Sequence, residues 1–168
     1  AVQLRNEAHL TADMIERVDM KVHPLVLELT GKTTPRTGLE GKFSITHAVA
    51  VALVEGAGGE KQFSDRAVND PVIAALRARV KPVVDPAIRP EQVELTVVLT
   101  DGRSLPRRIE HAIGSVERPM SDAALETKFT DLANGILPDA QVRRVMDLCW
   151  RIAELPNAGD VARAGVQA

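Results

Sequence analysis

The chain has 168 residues, 45% hydrophobic and 26% charged, with a formal net charge of −2, which is typical of one globular domain. The near-neutral charge and the absence of tyrosine argue against nucleic-acid binding, which needs a basic surface or stacking aromatics. No apolar run approaches the roughly 20 residues that span a membrane. The single cysteine excludes an internal disulfide and favours a reducing, cytoplasmic compartment.

The first elements are a helix and a strand. Residues 4–17 predict one or two short helices, with Thr11 as a candidate N-cap. Residues 18–23 alternate between apolar and polar side chains, which predicts a half-buried strand ended by Pro24. Residues 25–29 have no clean period and are left unassigned. Residues 30–41 are dense in Thr, Gly and Pro and predict a long, functional loop.

Residues 44–55 predict a helix that is apolar on nearly every side. Such a helix should be buried all round, which is difficult in a domain of this size. We therefore expect either that it is central or that part of its apolar surface is covered by something outside the chain.

The middle of the chain predicts a second helix and a set of strands. Asp70 and Pro71 are a favoured N-cap and first helical residue. Pro82 limits the strand at 83–85 to an edge or places Pro82 at a strand start, and residues 92–100 alternate as a clear strand. Asp101-Gly102 predicts a type I′ hairpin turn into a partner strand at 104–113.

The C-terminal part predicts a helical pair. One helix begins after Ser121, and a second after Pro138 carries an apolar stripe on which Cys149 is expected to be buried. Residues 156–168 have little to bury and predict a frayed tail. The expected class is α+β: a small antiparallel sheet of three to four strands packed against helices, with a C-terminal helical pair.

The segment Gly41–His47 (GKFSITH) concentrates groups that can bind an anion. Ser44 is placed to cap the helix, and His47 lies in its first turn, where free N–H groups carry partial positive charge. Lys42 precedes the cap, and Arg36 in the preceding loop adds a guanidinium. These residues predict a carboxylate site. The alternative is structural: Ser44 only caps, His47 packs against its own helix and Lys42 is solvated.

The four histidines and one cysteine show no metal-ligand spacing, so no metal site is predicted. There is also no nucleotide-binding glycine motif and no GxSxG.

The stretch PRTGLEGKFSITHAVAVALVEG resembles the C-terminal region of the MmgE/PrpD family, which contains 2-methylcitrate dehydratases, cis-aconitate decarboxylases and iminodisuccinate epimerases. The resemblance covers roughly residues 4–155. It continues, in order, through Phe63-Ser64-Asp65, Asp70-Pro71-Val72-Ile73, Asp101-Gly102, Gly114, Pro119-Met120-Ser121 and Lys128-Phe129.

The resemblance implies a two-domain architecture in which this chain, over residues 1–155, is the smaller α+β domain that closes over the substrate. A large helical domain with most of the catalytic residues would precede it and is absent here. This would explain why the chain starts at Ala1 rather than Met, although removal of an initiator Met is the other explanation. A homodimer is also expected.

The resemblance also implies the chemistry. The family needs no metal or organic cofactor: a base removes a proton next to a carboxylate, and cations hold the carboxylates of the substrate. We expect Lys42, Ser44 and Arg36 to bind a di- or tricarboxylate and His47 to bind it or assist proton transfer, with the principal base outside this chain. The implied parent is a dehydratase of the 2-methylcitrate type, an activity of propionate catabolism, or else a decarboxylase or epimerase.

Two other functions stay open. A non-catalytic dimerisation or regulatory module with an anion pocket at Ser44 would bury the helix 44–55 entirely within the chain. An independent small enzyme would need a complete acid–base set, and the sequence contains one clustered candidate region.

Overall fold

The computed structural model describes residues 1–166, which form two compact units: Ala1–Arg118, and a second that begins at Pro119. The boundary lies inside the range 1–155 that the sequence predicts as one domain. The α+β class is confirmed, because the first unit combines a four-stranded sheet with helices. Within the described residues, no helix is long and apolar enough to cross a membrane.

The first unit contains six α-helices and four strands among its described residues. The helices are α1 (Val2–Ala8), α2 (Pro24–Thr30), α3 (Gly38–Lys42), α4 (Ile45–Glu55), α5 (Asp65–Asn69) and α6 (Pro71–Arg77). The strands are β1 (Ile15–Val22), β2 (Val80–Val84), β3 (Val93–Leu99) and β4 (Ser104–Ile109). Short 3₁₀ turns occupy Ala12–Met14 and Glu60–Phe63.

The sheet has the strand order β2-β1-β3-β4 and is mixed. The pairs β1–β3 and β3–β4 are antiparallel as predicted, whereas β1 and β2 are parallel. The parallel pair follows from the chain path, because the helices α2–α6 form a crossover that returns the chain in its original direction. The hairpin at Asp101-Gly102 is confirmed, but only Gly102 has a positive φ (85°), so the turn is not type I′.

The core lies on one face of the sheet. Alternate residues of β1 and β3 pack there with apolar side chains of α1, α4 and α6; each large side chain buried in this way contributes about 1.5–3 kcal/mol. The main members are Leu4, Val18, Met20, Val22, Val49, Leu53, Ile73, Leu76, Leu95, Val97 and Leu99. Charged side chains bridge the strands elsewhere in the sheet, with Lys21 and Arg108 lying 3.4 and 2.6 Å from Glu94.

Helix α4 is covered within the first unit. Seven of its residues are buried, including Thr46, His47 and Leu53, and it packs against α1, α2, α3, α6 and β2. The expectation that this helix leaves apolar surface for a missing partner is therefore wrong. The sheet and the surrounding short helices together enclose it, as the self-contained module would require.

Two helices occupy places where the sequence predicted none. Residues 25–29 belong to α2, whose N-terminus is capped by His23: the Nδ1 atom accepts the Leu25 N–H at 3.1 Å. The predicted loop 30–41 contains the start of α3, which Thr37 caps by accepting the Glu40 N–H at 3.2 Å. A five-residue helix with two glycines is too short to show a hydrophobic period, which explains the error.

The N-terminal and edge elements differ in their bounds. The prediction of one or two short helices over 4–17 is confirmed by α1 and by the 3₁₀ turn Ala12–Met14 that follows Thr11, although the Thr11 side chain makes no capping bond. It is wrong for residues 15–17, because β1 already begins at Ile15. The edge position of the strand that contains Pro82 is confirmed, but this strand begins at Val80. The partner strand ends at Ile109, four residues before its predicted end.

The second unit contains α7 (Asp122–Ala133), α8 (Asp139–Trp150) and α9 (Gly159–Ala164). Ser121 caps α7 as predicted, and its Oγ atom accepts the Ala124 N–H at 3.2 Å. The predicted frayed tail contains α9 instead, held by Gln141, which donates to the Ala164 and Val166 carbonyls at 2.7 Å. Residues 167–168 of that tail lie outside the described residues.

The prediction of a buried Cys149 is wrong. Its side chain is exposed, although it lies on the same face of α8 as the buried Val142 and Val145, because burial of that face does not extend to the last turn of the helix. Cys149 borders an open apolar cleft that α7 and α8 form together, with Leu125, Phe129 and Trp150 among its lining residues.

Candidate active site

The N-terminus of α4 is built as the sequence predicts. Ser44 is the N-cap, and its Oγ atom accepts the His47 backbone N–H at 3.2 Å. The same hydroxyl lies 3.1 Å from the Thr46 hydroxyl, and both side chains are buried. The Ser44 hydroxyl therefore satisfies one of the free N–H donors of the first turn and also hydrogen-bonds the Thr46 side chain in that turn.

His47 is enclosed by the chain, with no exposed surface. Its Nε2 atom lies 2.9 Å from the Gln62 carbonyl oxygen, and its Nδ1 atom lies 3.5 Å from the Arg77 guanidinium. The Phe63 ring meets the imidazole edge to face, at a centroid distance of 5.6 Å. Both ring nitrogens thus have partners inside the first unit, and the imidazole is fixed in one orientation.

These partners define the protonation of His47. A carbonyl can only accept and a guanidinium can only donate, so Nε2 carries the proton and Nδ1 presents its lone pair to Arg77. Burial lowers the pKa of the imidazole, and the charge of Arg77 acts in the same direction against the opposing effect of the Gln62 hydrogen bond. The neutral ring is therefore the form that fits this enclosure.

Lys42, at the end of α3, is partly exposed and already binds a carboxylate. Its Nζ atom lies 2.8 and 2.9 Å from the two oxygens of Glu60, with 42% of the lysine side chain and 61% of the glutamate side chain exposed. The ammonium group and the buried imidazole thus belong to one short motif but occupy different environments.

Arg36 is fixed through its backbone. Its N–H donates to Glu40 at 2.6 Å, and its carbonyl accepts from the Asn69 amide at 3.0 Å. Its exposed guanidinium has no hydrogen-bond or ion-pair partner among residues 1–166. By contrast, Lys32 and Lys42 are each paired with a carboxylate.

Helix α3 rests closely on the segment that follows α4. The Gly38 N–H donates to Asp65 at 2.6 Å, and a Cβ atom at Gly38 would lie 2.0 Å from the Phe63 carbonyl oxygen. Only glycine allows this approach. The outer side of α3 presents Leu39 and Phe43, which are 69% and 55% exposed. Both exposed apolar residues thus lie within three positions in sequence of Arg36 or Lys42.

A cleft of about 150 Å³ borders the α4 N-terminus and is lined by apolar side chains together with Thr30, Thr33 and Thr46. Within the part of the chain that the structure describes, no group of three or more His, Cys, Asp or Glu residues is arranged to hold a metal ion.

Three partners of this site were missed by sequence reasoning: Glu60, Gln62 and Arg77. They lie 15 to 30 residues from the motif residues they contact. Gly58 and Gly59 indicate a turn before Glu60, but no local pattern relates that turn to Lys42 or His47.

Comparison with known proteins identifies the family. Residues 1–152 match the model of the MmgE/PrpD C-terminal domain, which is most of the chain. The chain belongs to the MmgE/PrpD family. The resemblance drawn from the motif around Lys42 and His47 is thereby confirmed.

A curated relative gives one functional reference. The chain is 22% identical over 156 residues to a protein named cis-aconitate decarboxylase from Mus musculus. The alignment covers 90% of this chain but 32% of that protein, so the chain spans about a third of the length of the relative it matches. The roles of Arg36, Lys42, Ser44 and His47 in binding or catalysis stay predictions.

Proposed function

We propose that this chain is the substrate-closing domain of an MmgE/PrpD lyase or isomerase that acts on a small di- or tricarboxylate by proton abstraction next to a carboxylate. The observation that carries the proposal is the cationic surface of α3 and its preceding loop. There Lys42 binds a carboxylate within the chain and the Arg36 guanidinium is unpaired among residues 1–166. Two cations suit a ligand with at least two carboxylates.

The apolar residues beside these cations support a closing role. Leu39 in α3 and Phe43, the residue that ends it, are exposed apolar side chains four positions apart. A surface of this composition suits contact with the remainder of a larger enzyme around a bound substrate. The relative named cis-aconitate decarboxylase makes a tricarboxylate a reasonable first substrate, with 2-methylcitrate dehydration, and hence propionate catabolism, as the other.

We assign Lys42 and Arg36 to direct binding and Ser44 and His47 to positioning. Ser44 and His47 are enclosed, so they fix the start of α4 and the segment that carries Glu60 rather than touch a ligand in this conformation. A proton-transfer role for His47 would require the ring to leave its contacts with Gln62 and Arg77. The principal base belongs to another part of the enzyme in this proposal.

The test is turnover by the complete protein whose reading frame contains these residues. It would be assayed with cis-aconitate and 2-methylcitrate. Lys42→Ala should lower kcat/KM at least tenfold on the active substrate. Lys21→Ala is the control, because Lys21 is also an exposed lysine paired with a carboxylate, that of Glu94 at 3.4 Å, but lies on β1, outside the proposed site. Full activity of Lys42→Ala would refute the site assignment.

A second candidate is a non-catalytic dimerisation or regulatory module with an anion pocket at the α4 N-terminus. The burial of α4 within the first unit favours it, and the cleft beside Thr46 would be its ligand site. This candidate predicts that the complete protein binds carboxylates without converting them. Product formation from either test substrate would exclude it.

We also propose that the protein works as a homodimer in the cytoplasm. The single cysteine is compatible with a reducing compartment. Sedimentation of the complete protein and cell fractionation would check the two statements separately.

A further inference from the structure

The Lys42 ammonium group is already occupied by a carboxylate from the same chain. Both oxygens of Glu60 lie within hydrogen-bond distance of Nζ, at 2.8 and 2.9 Å. An ammonium group has three N–H bonds and Glu60 occupies up to two of them, so a substrate carboxylate that binds through both of its oxygens would compete with Glu60 for at least one donor. Binding at Lys42 is therefore an exchange of one carboxylate for another.

Hydrogen bonds of the neighbouring residue Gln62 fix the backbone around Glu60, whereas the Glu60 side chain is held by its pair with Lys42 alone among the described contacts. Gln62, two residues after Glu60, accepts a hydrogen bond from His47 through its backbone carbonyl. Its side-chain amide donates to Glu55 at 2.7 Å and accepts the Gly59 N–H at 2.9 Å. Glu60 itself is 61% exposed, and Lys42 is its partner among the described hydrogen bonds and ion pairs. The carboxylate can thus leave Lys42 by side-chain rotation alone.

We propose that Glu60 is a built-in competitor for the substrate carboxylate at Lys42 and so a specificity-determining residue of the proposed site. Every ligand that needs Lys42 must first displace Glu60, which weakens its apparent affinity by the fraction of molecules in which Lys42 is free. A monocarboxylate would only replace the bond that is lost. A di- or tricarboxylate would offset the loss by a second contact with Arg36. The inference rests on the proposed function, because it takes Lys42 as a substrate ligand.

The expected effect is small, because exposed ion pairs are weak. Such pairs contribute about 0.2–1 kcal/mol, which corresponds to an affinity gain of about 1.5- to fivefold when the competitor is removed. Glu60→Gln keeps the size of the side chain and removes its charge. It should lower the Kd for a tricarboxylate by this factor at low ionic strength, and by less at high salt.

The experiment is calorimetric titration of the complete protein with tricarballylate, a saturated tricarboxylate that has no hydroxyl group to eliminate. Glu16→Gln is the control, since Glu16 forms a comparable exposed pair with Arg17 on β1, at 3.1 Å. It should leave the Kd unchanged. The double variant Lys42→Ala/Glu60→Gln should bind no better than Lys42→Ala, because Glu60 competes only through Lys42.

The outcomes separate the two proposals. If Lys42→Ala weakens binding but Glu60→Gln does not tighten it, the competitor role is overturned while Lys42 remains a ligand. If Glu60→Gln also tightens binding in the Lys42→Ala background, the effect is a general change of charge and the inference fails. If Lys42→Ala binds as well as the unaltered protein, both the inference and the site assignment are wrong.

Discussion

Lys42 and His47 lie five residues apart in one motif, yet the environments of their side chains are opposite. The Lys42 side chain is 42% exposed and held by one solvent-accessible ion pair, whereas His47 is fully buried between a carbonyl, a guanidinium and an aromatic ring. A single sequence motif can therefore contain one group available to a ligand and another that maintains the structure. The following substitutions test this contrast from the largest expected effect to the smallest.

The contact between α3 and the segment after α4 should be the most sensitive. Gly38→Ala would place a Cβ atom 2.0 Å from the Phe63 carbonyl oxygen, so the backbone must move. Overpacking of this kind costs about 1–3 kcal/mol, and we expect the upper part of that range. Urea unfolding followed by circular dichroism would measure it.

Gly58→Ala is the control for that experiment. A Cβ atom at Gly58 would meet no atom within 4 Å, and its φ is not in the left-handed region. The free energy of unfolding should change by less than about 0.5 kcal/mol, as for most surface substitutions. Equal effects at Gly38 and Gly58 would show that the close approach of α3 is not a constraint.

The enclosure of His47 should make stability depend on pH. Burial lowers the pKa of His47 in the folded protein, so as the pH falls below about 6.5 the unfolded chain binds a proton first. Stability is then lost from about pH 6.5 down to the lowered pKa, with a slope of at most about 1.4 kcal/mol per pH unit. Unfolding curves recorded between pH 5 and pH 8 would measure this slope.

Substitution identifies the group responsible for that slope. His47→Gln removes the titrating ring, so this part of the pH dependence should disappear even if the variant is less stable overall. His9→Gln replaces an exposed histidine of the same unit and should leave the dependence in place. Parallel profiles of stability against pH for the unaltered protein and His47→Gln would show that the buried imidazole of His47 is not the cause of the pH dependence.

Features of this region that depend on neighbouring residues can be predicted from the sequence, whereas contacts between residues far apart in the sequence cannot. The Ser44 cap and the helix after it depend on neighbouring residues, and both were predicted correctly. Helix α3 was missed because it is too short to show a hydrophobic period, and because its contact with Asp65 joins residues 27 positions apart. The same reason explains why Arg77 and Glu60 were not found. The parallel pairing of β1 and β2 likewise depends on how a crossover of several short helices folds, which no local pattern records.

The N-caps of the consecutive helices α3 and α4 allow a comparison of smaller effects. Ser44→Ala removes a buried hydroxyl that accepts the His47 N–H and bonds Thr46, so the loss should be about 1–2 kcal/mol. Thr37→Ala removes the exposed cap of α3, and water can replace it, so about 0.5 kcal/mol is expected. The same unfolding measurement compares them. A larger loss of stability for Thr37→Ala than for Ser44→Ala would contradict the conclusion that the Ser44 cap is buried and the Thr37 cap exposed.

Lys42 should contribute least to stability. Lys42→Ala removes an ion pair whose two side chains are both well exposed, and such pairs contribute about 0–1 kcal/mol because water solvates the separated charges nearly as well. We expect the free energy of unfolding to change by less than about 0.5 kcal/mol. Tricarballylate binding, measured on the same preparation, should be weakened. Weak binding with unchanged stability is the combination expected of a ligand-binding residue. A loss above about 1 kcal/mol would instead mean that Lys42, like His47, maintains the structure, because its ion pair would then fix the segment that carries Glu60.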